Sequence, residues 1–143
     1  MQEASIRQKI VDLCLEMNAS GLNQGTSGNI SAVCNGKMLI TPSGVQYGDL
    51  HPDQLASCDL DEAQPVWKGD FKPSTEWHFH QAILRSDRKY NAAIHTHSTF
   101  ATVLSMSGQA IPACHYMVAA FGGNNVPCAE YQTFGTPELS NSI

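Results

Sequence analysis

Two histidines separated by one residue, His95-Thr96-His97, are the part of the sequence best equipped for chemistry. In extended backbone, residues two apart project to the same side, so both imidazoles would stand together at the end of a strand. Neutral imidazole is the common nitrogen donor to zinc, and a catalytic zinc needs three protein ligands with one position left open. The same spacing also fits one buried, hydrogen-bonded histidine beside an exposed one, so the pair alone does not decide. Glu76 falls where a helix is predicted to begin at Ser74, and the helix dipole by itself accounts for a carboxylate in that first turn. If the helix start faces the histidines, Glu76 in a partly dry cleft can act as a general base or as a third, exchangeable metal ligand. His78 and His80 diverge by about 200° around that helix and cannot chelate together. His78 is expected at the surface, His80 in the core and His51 in a loop.

Three further segments are rich in hydroxyls and small residues: Thr26-Ser27-Gly28-Asn29, Thr41-Pro42-Ser43-Gly44 and Ser74-Thr75. Glycines let backbone N–H groups approach an anion, and a helix start adds unpaired donors, so the three could converge on a phosphate. Singly they are ordinary turns and caps. There is neither a P-loop pattern nor a Gly-x-Gly-x-x-Gly fingerprint, and no Gly-x-Ser-x-Gly elbow, which argues against nucleotide binding and serine hydrolysis. Tyr116, next to His115, is either a phenolic acid or a packing residue with its tip in water.

These groups need a scaffold. Ile6, Ile10, Leu13 and Met17 line one face of a helix predicted over 3–18, stopped by Gly21. A polar loop over 23–29 feeds a strand through Ile30 and Val33. Asn35-Gly36 is a hairpin turn into a second strand over 37–40, ended by Pro42 and Gly44. A short strand is expected near Leu55 to Leu60, and a helix from Ser74 to about Arg85 with Trp77, His80, Ile83 and Leu84 facing in. Asn91 to His95 reads as a buried strand and Thr99 to Met106 as a helix. Short apolar pieces follow at 111–113, 117–121 and 126–129. Thr136-Pro137-Glu138-Leu139 carries the capping hydroxyl, proline and carboxylate of a new helix start. That helix would have only about two turns before Ile143, so the chain is expected to be a fragment of a longer protein.

The 143 residues are 42% hydrophobic, enough for one domain with a real core. Charged residues make up 15%, well below the roughly 25% of ordinary soluble domains, and subunit contacts are the simplest expected cover for such a surface. A net charge of −5 without any Lys/Arg run argues against nucleic acid, and no segment approaches the roughly 20 apolar residues of a membrane span. The five scattered cysteines, together with an N-terminus that lacks an apolar signal run, lead to the expectation of reduced, mostly buried thiols in a cytoplasmic protein.

Taken in order, Gly21 through Ser31, Met38 through Gly44, Pro73-Ser74-Thr75-Glu76-Trp77 and His95-Thr96-His97-Ser98 closely resemble the class II aldolase/adducin family, over nearly the whole chain. The resemblance implies a three-layer α/β/α fold with a central, mainly antiparallel sheet, here lacking its C-terminal part, in a single domain over 1–143. It implies one Zn2+ per subunit bound by His95 and His97, with Glu76 as the acid/base that can also approach the metal. Thr26, Asn29, Ser43, Gly44, Ser74 and Thr75 would hold the phosphate of dihydroxyacetone phosphate, and Tyr116 would assist at the aldehyde end. The implied reaction is cleavage of a ketose 1-phosphate. The runs 111–117 and 131–136 look most like members acting on L-fuculose 1-phosphate, which yields dihydroxyacetone phosphate and L-lactaldehyde. Zinc would serve as Lewis acid for the enediolate while Glu76 returns the proton to carbon.

The resemblance also implies a homotetramer with sites at subunit interfaces. It brings a third zinc histidine in a His-His-Gly context and a tail tyrosine from a neighbouring subunit, neither of which lies within these residues. Within the family, a pentulose-phosphate 4-epimerase, a methylthioribulose-phosphate dehydratase and an aldolase of different aldehyde specificity share this machinery. An adducin-like association module is the non-catalytic alternative, against which the set His95, His97 and Glu76 weighs.

Overall fold

The structure is a computed structural model that describes residues 2–86 and 89–143. Helix α1, Glu3–Ala19, buries Ile10, Val11, Cys14 and Met17. It stops as Gly21 turns to φ 76°, with Leu22 N–H donating to the Met17 carbonyl at 3.0 Å and Gly21 N–H to that of Asn18 at 3.2 Å. This paired closure satisfies carbonyls that a helix end would otherwise leave bare, and glycine takes the left-handed position without a Cβ penalty.

Strands β1, Asn29–Cys34, and β2, Lys37–Ile40, form the expected hairpin, with Asn35 at φ 50° and Gly36 at φ 76°. Two successive positive φ values twist the turn in the sense that matches the strands. Strand β3, Ala56–Asp59, pairs with β2, and β4, Ala92–His95, pairs with the other edge of β1, giving an antiparallel sheet in the order β3-β2-β1-β4. Two short 3₁₀ turns, Tyr47–Asp49 and Pro52–Gln54, lie between β2 and β3.

The sheet separates two apolar layers. On one face Ile30, Ala32, Cys34, Leu39 and Leu55 pack with α1. On the other, Met38, Cys58, Leu60 and Ala93 pack with Trp77, Ile83 and Leu84 of α2, Trp77–Ser86. This is the expected α/β/α layering. Helix α3, Thr99–Met106, a 3₁₀ segment Tyr116–Phe121 and a short helix α4, Pro137–Ser142, complete the chain, α4 lying against α2. The Thr136 hydroxyl accepts from Leu139 N–H at 3.4 Å, the cap its sequence announced.

Two expectations are corrected. Helix α2 begins at Trp77, not Ser74, because Ser74 is still held as extended backbone: its N–H donates to the Thr41 carbonyl at 3.0 Å beside a Pro42–Pro73 bridge. Glu76 therefore sits just ahead of the helix. Nor is β4 a buried strand. It is the sheet edge, where α1 does not reach, so Ile94 is 54% exposed while Ala93 is buried. Of the cysteines, Cys14, Cys34 and Cys58 are buried, Cys128 is half-buried and Cys114 is exposed, all as free thiols. Burial pushes Cys14 up to about 12, a hydrogen bond with Tyr47 working the other way, which makes it an inert thiol.

A candidate active site where three loops meet the end of the sheet

Register decides which side chains can meet. Asn29 stands opposite His95 across the β1–β4 pair, on the side of the sheet facing α2. There the Asn29 amide donates to Glu76 Oε2 at 2.7 Å and to Ser74 Oγ at 3.0 Å. His95 Nδ1–H donates to the same Glu76 oxygen at 2.8 Å. Burial opposes the Glu76 charge, but the hydrogen bonds from His95 and Asn29 and the charges of His95 and His97 outweigh it, holding the carboxyl below its ordinary value.

His97 lies beyond the strand end, yet the two rings are neighbours, their centroids 4.7 Å apart. The cause is Asn23, buried against Met17, whose Oδ1 accepts from His97 N–H at 2.7 Å. Gly28 fits under this junction only because it has no side chain: a Cβ would come within 2.3 Å of Asn23 Nδ2 and 2.6 Å of the His95 carbonyl oxygen. Burial, then the nearby charge of His95, lowers the His97 pKa, partly offset by Glu76, and this favours the neutral imidazole that a metal requires.

A cavity of about 420 Å³ opens at this place. Thr26, Asn29, Ser43, Gly44, Ser74 and Thr75, the six residues proposed from sequence as an anion cradle, all line it, together with Glu76 and His97. Backbone pairing draws the loops together: Ser43 N–H reaches the Lys72 carbonyl at 3.0 Å, and Tyr47 OH donates to the Gly28 carbonyl at 2.7 Å. Among the described residues neither Lys nor Arg lines the cavity, and the groups that do offer an anion N–H and O–H donors. His95 stands behind Glu76 rather than on the cavity wall.

Tyr116 is not brought in. It is 81% exposed and stacks on His115, with centroids 4.5 Å apart. His78, expected at the surface, is half-buried over Trp77, while His80 is fully buried as expected. Sequence reasoning missed Asn23, Tyr47 and Phe134. Phe134 lines the cavity from the far end of the chain, where Gly135 packs on Thr75. Only the Asn-Gln-Gly turn around Asn23 carried any signal.

Among the described residues no group of three His, Cys, Asp or Glu side chains is assembled to hold a metal. The donors that are present fit zinc in kind. They are two imidazoles side by side, and a carboxylate on His95 Nδ1 is the usual support that fixes the tautomer of a ligating histidine.

Residues 8–143 match the family described as class II aldolase and adducin N-terminal domain. The chain belongs to the class II aldolase/adducin family. It is 46% identical over its full length to a 5-methylthioribulose-1-phosphate/5-deoxyribulose-1-phosphate aldolase of Escherichia coli O45:K1 (strain S88 / ExPEC), covering 66% of that protein. It is 43% identical, again over its full length, to the L-fuculose phosphate aldolase of Escherichia coli (strain K12), covering 65%. A solved L-fuculose 1-phosphate aldolase superposes with a TM-score of 0.89 at 33% identity, over 96% of this chain and 65% of that one. The chain thus spans about two thirds of the length of the curated relatives it matches. Among the described residues no helix is long and apolar enough to cross a membrane.

Proposed function

We propose that the protein carrying this chain is a zinc-dependent aldolase that cleaves a ketose 1-phosphate to dihydroxyacetone phosphate and an aldehyde. The observation that carries the reading is the single cavity that gathers Glu76, His97 and all six hydroxyl or small residues, with Glu76 bridged to His95. The Thr26, Ser43 and Ser74 segments bind and orient the substrate phosphate through N–H and O–H donors. His95 and His97 would hold zinc, which when bound supplies Lewis-acid stabilisation for the charge that develops on the ketose oxygens as carbon–carbon cleavage proceeds. In cleavage the hydroxyl proton of the carbon that becomes the aldehyde balances the proton that Glu76 returns to the carbon of dihydroxyacetone phosphate, and in condensation Glu76 removes that proton from carbon. Its site next to two imidazoles and an amide donor favours the carboxylate, the form needed for proton abstraction.

Three substrates lead the reading. L-Fuculose 1-phosphate, giving L-lactaldehyde, is favoured by the sequence runs 111–117 and 131–136 and by relatives named for that activity. The relative at 46% identity favours 5-methylthioribulose 1-phosphate or 5-deoxyribulose 1-phosphate. All three share the dihydroxyacetone phosphate half and differ in the aldehyde. Tyr116 enters at the aldehyde end on the resemblance alone. A homotetramer and a cytoplasmic setting complete the reading, supported by exposed apolar residues such as Phe100, Met106 and Tyr131 and by the free thiols.

The test is release of dihydroxyacetone phosphate from these three sugars by the zinc-loaded protein, with ribulose 5-phosphate epimerisation run in parallel. Cleavage that is lost with a chelator and restored by zinc is the expected result. Epimerisation without cleavage, or no zinc uptake by the wild-type protein, would overturn it. Tyr116→Phe decides the phenol separately: an unchanged kcat removes it from the mechanism.

A further inference from the structure

Behind the cavity the hydrogen bonds of Asn29 continue into the core through His80 and Ser31, and the site as described makes no use of those two. Ser31, Asn29 and His80 are 0%, 5% and 0% exposed, in a sheet–helix interface that is mostly apolar. Ser31 Oγ lies 2.7 Å from His80 Nδ1, and His80 Nε2 lies against Asn29 Oδ1. Buried polar groups of this kind are kept only when each is satisfied, and here the pattern of donors admits one solution. Both amide hydrogens of Asn29 are spent on Glu76 and Ser74, so its Oδ1 must accept. His80 therefore carries its proton on Nε2, and Nδ1 takes the hydroxyl proton of Ser31. Burial, with the charge of His95 adding to it and Glu76 opposing, lowers the His80 pKa to about 4 and keeps the ring neutral.

We propose that His80 is a positioning residue: held as its Nε2–H tautomer, with Ser31 donating to Nδ1, it fixes the Asn29 amide with its N–H groups toward Glu76 and Ser74. The opposite tautomer would set a nitrogen lone pair against Asn29 Oδ1. Relief would come from turning the amide over, which places its carbonyl oxygen 2.7 Å from the Glu76 carboxylate, acceptor against acceptor. One imidazole tautomer in the core thus sets the sign of the contact made to the acid/base. The inference rests on the reading of Glu76 as that acid/base.

Two-bond ¹H–¹⁵N spectra of the histidine-labelled protein read the tautomer directly and need no activity. The Nε2–H pattern is expected for His80 in the wild type and also in Ser31→Ala, where Asn29 Oδ1 still accepts. In the zinc-loaded retro-aldol assay, His80→Leu is expected to lower kcat roughly ten- to a hundredfold. His80→Gln, which still offers an N–H toward Asn29, should recover kcat to within about threefold of wild type. An Nδ1–H or doubly protonated ring overturns the proposal, as does a folded His80→Leu with wild-type kcat or a folded His80→Gln no better than His80→Leu. If both His80 variants fail to fold, the wild-type and Ser31→Ala spectra decide. If the wild-type protein cleaves none of the sugars, the role of Glu76 falls while the spectra still judge the His80–Asn29 lock.

Discussion

The chain up to His97 and the chain after it are held in shape by different means. The first part buries two apolar layers around a four-stranded sheet, with Met38, Leu39, Ile40 and Leu84 at 0% exposure. From Thr99 to Ile143 Val118 alone is buried, while Phe100, Met106, Phe121 and Tyr131 are at least 76% exposed. Local rules make helix α4, through the Thr136 cap and Pro137, but packing within this chain contributes little to α3 or α4. The residues whose side chains meet for chemistry, Glu76, His95 and His97, all fall on the side that packs. Positioned catalysis needs side chains whose rotamers are fixed by their neighbours, and only the first part offers such neighbours.

Glu76→Gln against Glu130→Gln tests that division most severely. The first should cost roughly 10²–10⁴-fold in the retro-aldol rate, while the second, an exposed carboxylate of the later part, should stay within about twofold. Equal losses would break the contrast. Stability should divide the same way: Leu84→Ala is expected to cost about 2–5 kcal/mol in denaturant unfolding, and Met106→Ala, 84% exposed, less than about 0.5 kcal/mol.

Acid gives a third view. His80 binds its proton near pH 4 in the folded chain and near 6.5 when unfolded, so the unfolded state gains protons first as pH falls. Stability should be full above pH 6.5 and decline by up to about 3 kcal/mol towards pH 4, with the lowered Glu76 adding loss in the same direction below that. His80→Leu should flatten the upper part of this curve in urea titrations. The smallest effect separates two glycines that share positive φ. Gly28→Ala meets Asn23 and the His95 carbonyl and should cost about 1–3 kcal/mol together with zinc affinity, whereas Gly108→Ala, at φ 66° in open space, should cost about 1 kcal/mol and leave zinc binding alone.

Much of this was legible because the deciding interactions are local. The α1 periodicity, the Asn35-Gly36 turn and the Thr136-Pro137 cap each announce themselves within a few residues, and the hydroxyl-rich loops could be named before anything showed that they meet. The misreadings share one physical origin. Ser74 does cap the chain locally, its hydroxyl accepting from Glu76 N–H at 3.3 Å, but its backbone N–H is claimed by Thr41 and its hydroxyl also by Asn29, partners remote in sequence, so the helix starts only at Trp77. Ile94 reads as buried, yet lies on the strand that ended up at the edge. Likewise Ser31 and Asn23 are unremarkable letters until the register across β1 and β4 gives them His80 and His97.

The strand order carries a consequence for time as well as space. Strand β1 has a near partner, β2, joined by a tight turn, and a far partner, β4, separated from it by β2, β3 and α2. A chain emerging N-terminus first can zip β1, β2 and β3 while His95 is still unsynthesised, because short loops close at low entropic cost and long ones close late. The last pairing to form, Asn29 with His95, is the one that brings Asn29, Glu76 and the histidines together. The β1–β2–β3 part can form before β4 is made, while the chemistry waits on β4.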